Sequence, residues 1–455
     1  MPPPAPAELE SIVRSLARAV AARGGRAWLV GGGVRDALLG RPRKDFDLEV
    51  FGLAPAVLEA LLRERHAVHD VGRAFGVLKL ADLPIDVSLP RRETKVATGH
   101  RGFAIDADPF LDLTTAALRR DLTVNALYED PLTGEIADPL GGRADLDARV
   151  LRHASPRFVE DPLRVLRVAQ FAARFRFAIA PETVALARSI DLGELPRERI
   201  EDEWRKLLLT GEQPSRGLAF LRDCGALRWF PELAPLIDCP QHPDWHPEGD
   251  VWIHTLHALD HFAGARSGDA SDWLVGLAVL CHDLGKPATT YDDKGVWRSP
   301  GHDVAGEAPT RAFLARITAQ ADVVESVVAL VLQHLKPQEY WKAQPGDGAI
   351  RRLATRVNVR LLVRVARHDD AGRPPRPVGD FPAGRWLLDR AEALQAADAA
   401  PKPLVLGRHL IDAGRTPGRE FKTLLDRCYE AQLDGEFGDL AGGLEFLRRQ
   451  LAPPG

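Results

Sequence analysis

Residues Trp28–Val50 read WLVGGGVRDALLGRPRKDFDLEV, and their pattern decides how the N-terminal third of the chain folds. A short apolar run meets three glycines, a helical run follows near Val34 to Leu39, and a second apolar run carries two aspartates. Gly31, Gly32 and Gly33 let the backbone turn sharply and approach a ligand closely. The helix start beyond them points unpaired N–H groups and a positive dipole end at whatever lies over the glycines, which suits a triphosphate. Asp45 and Asp47, at i and i+2, share one face of a strand while Phe46 and Leu48 take the other. Adjacent carboxylates repel unless a divalent cation lies between them. Mg²⁺ is therefore the expected third party, and two such ions can clamp an in-line phosphoryl displacement.

Outward from this stretch, the chain begins with a Pro-rich tip and a packing helix over Glu8–Ala22. A second amphipathic helix is predicted over Pro55–Arg65, and VLKLADLPIDVSL (Val77–Leu89) reads as two strands around a turn. In the second of them Asp86 alternates with Ile85 and Val87, so it is a candidate third carboxylate or an ordinary surface aspartate. Arg91–Leu118 is polar and irregular, a loop longer than compact domains usually carry. Arg119–Leu127, RRDLTVNAL, sets two guanidiniums suited to phosphate beside Asp121 and Asn125, which can hydrogen-bond a ribose; its plain alternative is a polar helix start. From Arg143 to Arg176 eight arginines face four acids, a local balance of +4. Within that span EDPLRVLRVAQFAARF (Glu160–Phe175) has a helical apolar stripe, with Asp161 and Arg164 at i, i+3 spacing that would ordinarily make a salt bridge.

The chain's 455 residues exceed one compact core and imply three or four domains. No apolar run approaches the ~20 residues of a membrane helix, and the start lacks a signal-peptide pattern, so a cytoplasmic location without membrane contact is expected. Cys224, Cys239, Cys281 and Cys428 lie far apart and are expected as buried thiols. A net charge of −4 excludes wholesale nucleic-acid coating but not RNA held by local basic surface. After CPQHPDWHPEG, His254, His282–Asp283 and Asp369, with His302 and His334, form a scattered set of imidazole and carboxylate groups suited to a divalent metal. Asp369 is preferred over Asp370 because of its spacing to Gly372–Arg373.

The order of these motifs resembles the tRNA nucleotidyltransferases and bacterial poly(A) polymerases of the DNA polymerase beta superfamily. The stretches SPRFVEDPLRVLRVAQFAARF, LRDCGALRWFPEL and WHPEGDVWIHTL resemble bacterial CCA-adding enzymes that carry an HD domain. The resemblance implies a multidomain, mainly α protein: an N-terminal extension (1–26), a mixed α/β nucleotidyltransferase head (27–150), a helical neck and body (151–238), an HD domain (239–375), and a linker with a helical tail (376–455). It implies Asp45, Asp47 and Asp86 as catalytic carboxylates with Mg²⁺. For nucleotide binding it implies Gly31, Gly32, Arg35, Arg119, Arg120, Asp121, Asn125, Glu160, Asp161, Arg164 and Arg167. Asp161 and Arg164 would act as a protein template for the Watson–Crick edge of CTP or ATP, and Glu198–Leu208 would support that helix. In the HD domain, His254, His282, Asp283 and Asp369 would hold Ni²⁺, Co²⁺, Mn²⁺ or Mg²⁺. The implied function is addition of C, C and A to tRNA 3′ ends, with phosphohydrolase activity on 2′-phosphate or 2′,3′-cyclic ends. The alternatives are a poly(A) polymerase, an A-adding-only or CC-adding-only enzyme, and an HD phosphohydrolase with a nucleotide-sensing head. Oligomeric state is not encoded in these motifs.

Overall fold

In the computed structural model, residues 6–43, 45–69, 77–81, 83–95 and 103–452 are described. The chain divides into two compact units, Met1–Leu207 with Gly211–Trp229, and Leu208–Thr210 with Phe230–Gly455.

Among its described residues the first unit has eleven short strands: β1 (Arg26–Val30), β2 (Phe46–Phe51), β3 (Val68–His69), β4 (Val77–Leu80), β5 (Ile85–Ser88), β6 (Arg91–Lys95), β7 (Phe103–Ala107), β8 (Tyr128–Glu129), β9 (Ile136–Ala137), and the mutually paired β10 (Val150–Leu151) and β11 (Ala178–Ile179). Seven of them form a mixed sheet in the order β3-β4-β5-β2-β1-β8-β9. At its centre β1 runs antiparallel to β2 and β8, whereas β2 and β5 are parallel. Four of the five β1 residues are buried, as expected of a strand covered on both sides. The helix Pro6–Ala21 covers it with Leu9, Val13, Leu16 and Val20, and packs against the helix Pro55–Arg63. The parallel register sets Asp47 directly opposite Asp86.

Several expectations need correction. The strand carrying the aspartates starts at Phe46, so Asp45 sits just outside its N-terminal end. The helix after the glycines is Gly32–Leu38. Arg91–Leu118 is not irregular: β6 and β7 pair as a separate hairpin, and a helix follows at Leu113–Ala117, its first turn capped by the Asp112 side chain. Residues 96–102 of that segment, and 1–5 of the Pro-rich tip, lie outside the described residues. The helix expected from Glu160 begins at Leu163, because Pro162 ends the preceding 3-10 turn Pro156–Glu160 and, lacking an N–H, is accommodated at a helix start. RRDLTVNAL is not a helix start but a bend followed by a 3-10 turn at Thr123–Asn125.

The helix Leu163–Phe175 buries Val165, Leu166, Val168, Ala169 and Ala172 and packs against the helix Pro214–Asp223. A Cβ on Gly217 would lie 2.5 Å from the Ala169 carbonyl oxygen, so glycine is what permits this close approach.

The second unit is almost wholly helical. The helix Ser271–Cys281 is apolar all round, and Leu277, Ala278, Leu280 and Cys281 are fully buried. Around it stand the helices Val251–Gly264, Ala321–Gln333 and Val359–Ala371. A small hairpin, Tyr291–Asp293 with Val296–Arg298, is the exception to the helical expectation. The C-terminal helices Arg419–Asp434 and Leu440–Leu451 close on their own core of Val405, Leu410, Cys428, Phe437, Phe446 and Leu447. All four cysteines are free and buried. Among the described residues no helix is long and apolar enough to cross a membrane.

Candidate nucleotide and metal sites

In the first unit a pocket of about 420 Å³ gathers residues from the sheet, the 119–125 bend and the Leu163–Phe175 helix. That volume is within the range of ligand pockets. Gly31, Gly32, Arg35, Asp47, Arg119, Arg120, Asp121, Asn125, Asp161, Arg164 and Arg167 all line it, together with Gln170, Phe171, Arg174 and Lys206. Seven cations stand against three carboxylates, a balance that favours a polyanion. Glu160, Asp45 and Asp86 do not line it.

Gly31 ends β1 at φ 70°, ψ −139°, a conformation only glycine adopts without strain, and it caps the Gly32–Leu38 helix with its backbone. Asp47 and Asp86 project from facing register positions of β2 and β5. Partial burial, then repulsion from Asp86 and Asp45, holds the Asp47 carboxyl above the usual aspartate range, with Arg120 opposing. Lys79 Nζ lies 3.0 Å from Asp86. The three carboxylates offer oxygen donors only, the type a hard divalent cation prefers, but they are not among the groups whose donor atoms lie within 4.8 Å of one another.

The arginine pair is arranged differently from the sequence reading. Neither guanidinium is free for phosphate alone: Arg119 and Arg120 both donate to Glu49, the latter over 3.2 Å. Glu49 is fully buried, and despite that burial the two cations keep its carboxyl below the usual range. It shares the β2 face with Asp47, so the period-2 alternation of DFDLE contained the signal, but its partners lie some 70 residues away.

Asp121 and Asn125 are likewise engaged within the protein. Arg167 Nε donates to Asp121 Oδ2 over 2.7 Å, while Asp121 Oδ1 accepts from the Leu122 N–H and from Asn125 Nδ2. Asn125 Oδ1 in turn accepts from Arg35, whose other nitrogens donate to Asp36. Asp36 also accepts from Arg174, and the rings of Phe175 and Phe171 lie 4.4 and 5.0 Å from the Arg35 guanidinium. This chain ties the glycine helix and the 119–125 bend to the Leu163–Phe175 helix. Burial would raise the Asp121 carboxyl, but the Arg167 charge and these hydrogen bonds bring it down to about 2.

The Asp161–Arg164 salt bridge, the ordinary alternative at that spacing, is not made, because Asp161 precedes the helix. Asp161 accepts from the Leu163 N–H and from Arg199 Nη2 over 2.9 Å. Arg164 donates to the backbone carbonyls of Arg157 (2.6 Å) and Arg119 (2.5 Å). Both residues are thus fixed from behind by groups the motif does not contain. Arg199 belongs to the helix Arg197–Thr210, the segment expected to support this region.

In the second unit the four sequence-selected ligands and both additional histidines come together. His254, His282 and Asp369 form one group, and Asp283, His302 and His334 another, each with donor atoms within 4.8 Å of one another. Asp369, not Asp370, joins the first. His254 and His282 approach through Nε2 atoms at 3.3 Å, and His302 and His334 at 3.2 Å. Every Nδ1 faces an acceptor oxygen: Glu248 for His254, and the carbonyls of Val279, Ser299 and Val331 for His282, His302 and His334. Those bonds assign hydrogen to Nδ1 and leave Nε2 lone pairs converging, an arrangement that repels itself without a cation and fits a metal. Burial, with the neighbouring histidines, pushes the His334 imidazole down to about 4, so it is a neutral donor at pH 7. Glu248 and His246, which the sequence reading did not select, complete a third group with His254.

Two family models match the N-terminal half of the chain. A family model described as the Poly A polymerase head domain matches residues 27–152, and one described as the probable RNA and SrmB-binding site of polymerase A matches residues 176–237. The multifunctional CCA protein of Laribacter hongkongensis is 40% identical over 388 residues, covering 82% of this chain and 93% of that protein. The multifunctional CCA protein of Xanthomonas campestris pv. campestris is 39% identical over 393 residues, with the same coverage of 82% and 93%. Among solved structures, the Bacillus stearothermophilus CCA-adding enzyme in complex with CTP shares the fold at a TM-score of 0.65 and 24% identity, covering 96% of this chain and 98% of that one. The Thermotoga maritima CCA-adding enzyme complexed with tRNA does so at a TM-score of 0.59 and 19% identity, covering 97% and 95%. With its head motifs gathered in one cationic pocket and these relatives covered nearly end to end, the chain belongs to the multifunctional CCA protein family.

Proposed function

We propose that the chain adds C, C and A to tRNA 3′ ends from CTP and ATP, releasing pyrophosphate. The observation that carries this reading is the single pocket uniting Gly31, Gly32 and Asp47 with Arg119–Asn125 and with Asp161 and Arg164, in a chain 40% identical to a multifunctional CCA protein. The same kinship favours CCA addition over a poly(A) polymerase, and the paired carboxylates favour catalysis over nucleotide sensing. In the reaction the RNA 3′-hydroxyl oxygen bonds to the α-phosphorus and loses its proton. The bond from that phosphorus to the β-phosphate oxygen breaks, and pyrophosphate leaves. Asp45, Asp47 and Asp86 would hold Mg²⁺, which supplies charge neutralisation for the attacking and leaving oxygens. The cationic wall would bind the triphosphate, with Arg119 and Arg120 shared between it and Glu49. Asp161 and Arg164, clamped by Arg199 and two carbonyls, present an acceptor and donors to the base edge. Glu160 takes no part at the pocket wall in this reading. A cytoplasmic location, and the segment boundaries at 150, 238 and 375, belong to the same proposal.

A second reading, carried by the converging Nε2 atoms, makes the second unit a phosphohydrolase for 2′-phosphate or 2′,3′-cyclic ends. The imidazole-rich donor set suits Ni²⁺, Co²⁺ or Mn²⁺ better than the oxygen-only head does. Water adds to phosphorus, one P–O bond breaks, and the departing ribose oxygen takes a proton. One experiment tests both readings. Asp47→Ala should abolish nucleotide addition while leaving hydrolysis of 2′,3′-cyclic CMP intact, and His282→Ala should do the reverse. Loss of both activities in either variant would contradict two separate sites.

A further inference from the structure

We infer that Lys79 binds the last phosphodiester of the RNA acceptor end, and that the 3′-hydroxyl reaches the catalytic aspartates across strands β4 and β5. The RNA itself comes from the CCA-addition reading, on which this inference rests. The residue and the direction of approach come from the register of the sheet.

Register partners on neighbouring strands project from the same face. Asp47 on β2 is paired with Asp86 on β5, Asp86 with Lys79 on β4, and Lys79 with His69 on β3. The four positions therefore form one row across the sheet, from the nucleotide pocket out to the edge strand β3. The outer part of the row is open: the Asp86 and Lys79 side chains are 35% and 51% exposed, and His69 is exposed. Ile85, Val87 and Leu80, which alternate with these residues, are buried on the other face.

Asp47 stands where the row meets the pocket. A Cβ on Gly31 would lie 3.6 Å from Arg120 Nη1 and 3.7 Å from Asp47 Oδ2, so the glycine turn, Arg120 and Asp47 converge on one spot. A triphosphate held there releases its pyrophosphate toward the arginines, and in-line displacement requires the attacking oxygen to enter from the opposite side. That is the Asp86 side, since neither Asp86 nor Lys79 lines the nucleotide pocket. An RNA end arriving over β5 carries a phosphate next to its terminal ribose, and Asp47 and Asp86 alone would repel it. The row supplies a cation one strand further out, about 4.8 Å beyond Asp86, and no carboxylate at either outer position. Lys79 Nζ lies 3.0 Å from Asp86 Oδ2. A half-exposed ion pair of this kind is weak, so the ammonium can pass to a phosphate at little cost.

The test removes the charge from each side of the contact in turn. Two tRNA transcripts ending in CC, both with 2′-deoxycytidine before the last linkage, carry either a normal phosphate or an uncharged methylphosphonate at that linkage. They are offered with ATP to full-length wild type, Lys79→Ala and Lys79→Arg. In wild type the uncharged linkage should raise KM for the RNA by roughly three- to tenfold, as loss of a partly exposed charge contact does. Lys79→Ala should show a similar rise with the normal RNA and no further rise with the uncharged one. Its RNA binding should also fall less steeply with salt, by about 0.7 in the log–log slope. KM for ATP should stay within about twofold, which a disturbed sheet would not allow, and Lys79→Arg should restore the preference for the charged linkage. An equal penalty for the uncharged linkage in wild type and Lys79→Ala would overturn the inference, as would an unchanged salt slope. If wild type extends neither RNA, the CCA-addition reading fails instead, and fluorescence anisotropy with the same two RNAs decides the contact. A penalty in wild type that vanishes in Lys79→Ala supports it; equal penalties in the two proteins overturn it.

Discussion

Removing Glu49 should damage the head more than removing any surface carboxylate, because two buried cations depend on it. Its side chain has no exposure, and Arg119 and Arg120 are only 13% and 20% exposed. At the 3.2 Å separation from Arg120, one pair contributes roughly 5 kcal/mol of attraction at an effective dielectric near 20. Desolvation offsets much of that, so the net worth of the cluster against an apolar replacement is small. Glu49→Ala is different, since it strands two guanidiniums whose Nε atoms already lack partners, and breaking a buried pair in this way costs about 3–5 kcal/mol. For a unit of this size that is roughly 6–20 °C in melting temperature. Scanning calorimetry of the full chain should show the loss in one transition and leave the other in place. Glu49→Gln keeps the shape and one acceptor but not the charge, so it should retain more stability while KM for CTP rises about tenfold, because the arginines lose their fixed aim at the phosphates. A Glu49→Ala protein melting within about 1 °C of wild type would refute this account of the cluster.

Other outcomes follow from the same geometry. Asp121 is held near 2 against an unfolded value near 3.8, so its stabilisation, roughly 2 kcal/mol, is complete above about pH 4 and lost as pH falls through about 2. The melting difference between wild type and Asp121→Asn should therefore shrink between pH 4 and pH 2; a constant difference would contradict the assignment. Asp161→Ala should relax selection of CTP and ATP over UTP and GTP more than it weakens total nucleotide binding, with Arg199→Ala giving a milder version, and unchanged selectivity would reduce Asp161 to a structural cap. Gly31→Ala should cost about 1–3 kcal/mol through its φ of 70°, measurable by denaturant titration, and lower addition as the turn relaxes.

The sequence made residue types and strand faces legible, and three-dimensional partners much less so. Alternation put Asp47 and Asp86 each on the polar face of its own strand and left Asp86 open as a third carboxylate or a surface aspartate; that the two lie side by side required the parallel pairing of β2 with β5. Glu49 was visible in the same alternation, but its partners 70 and 71 residues away were not. Asp161 and Arg164 looked like a helical pair because the stripe from Val165 extends backward smoothly, yet Pro162 marks the boundary that separates them. The β6–β7 hairpin was hidden by polar residues, since a strand pair outside the main sheet lacks the apolar signature of a core strand. The histidines were legible by kind and order, whereas the carbonyls and Glu248 that orient their Nδ1 atoms are backbone and loop features no spacing reveals.

The central claim is tested most directly by offering the wild-type protein three tRNA transcripts, ending at the discriminator base, in C and in CC, with CTP and ATP together and then singly. The account expects addition of C, C and A to the first, C and A to the second and A alone to the third, stopping after A, and no addition by Asp47→Ala. Continued A-tailing, addition of only one nucleotide type, or addition that survives in Asp47→Ala would contradict it.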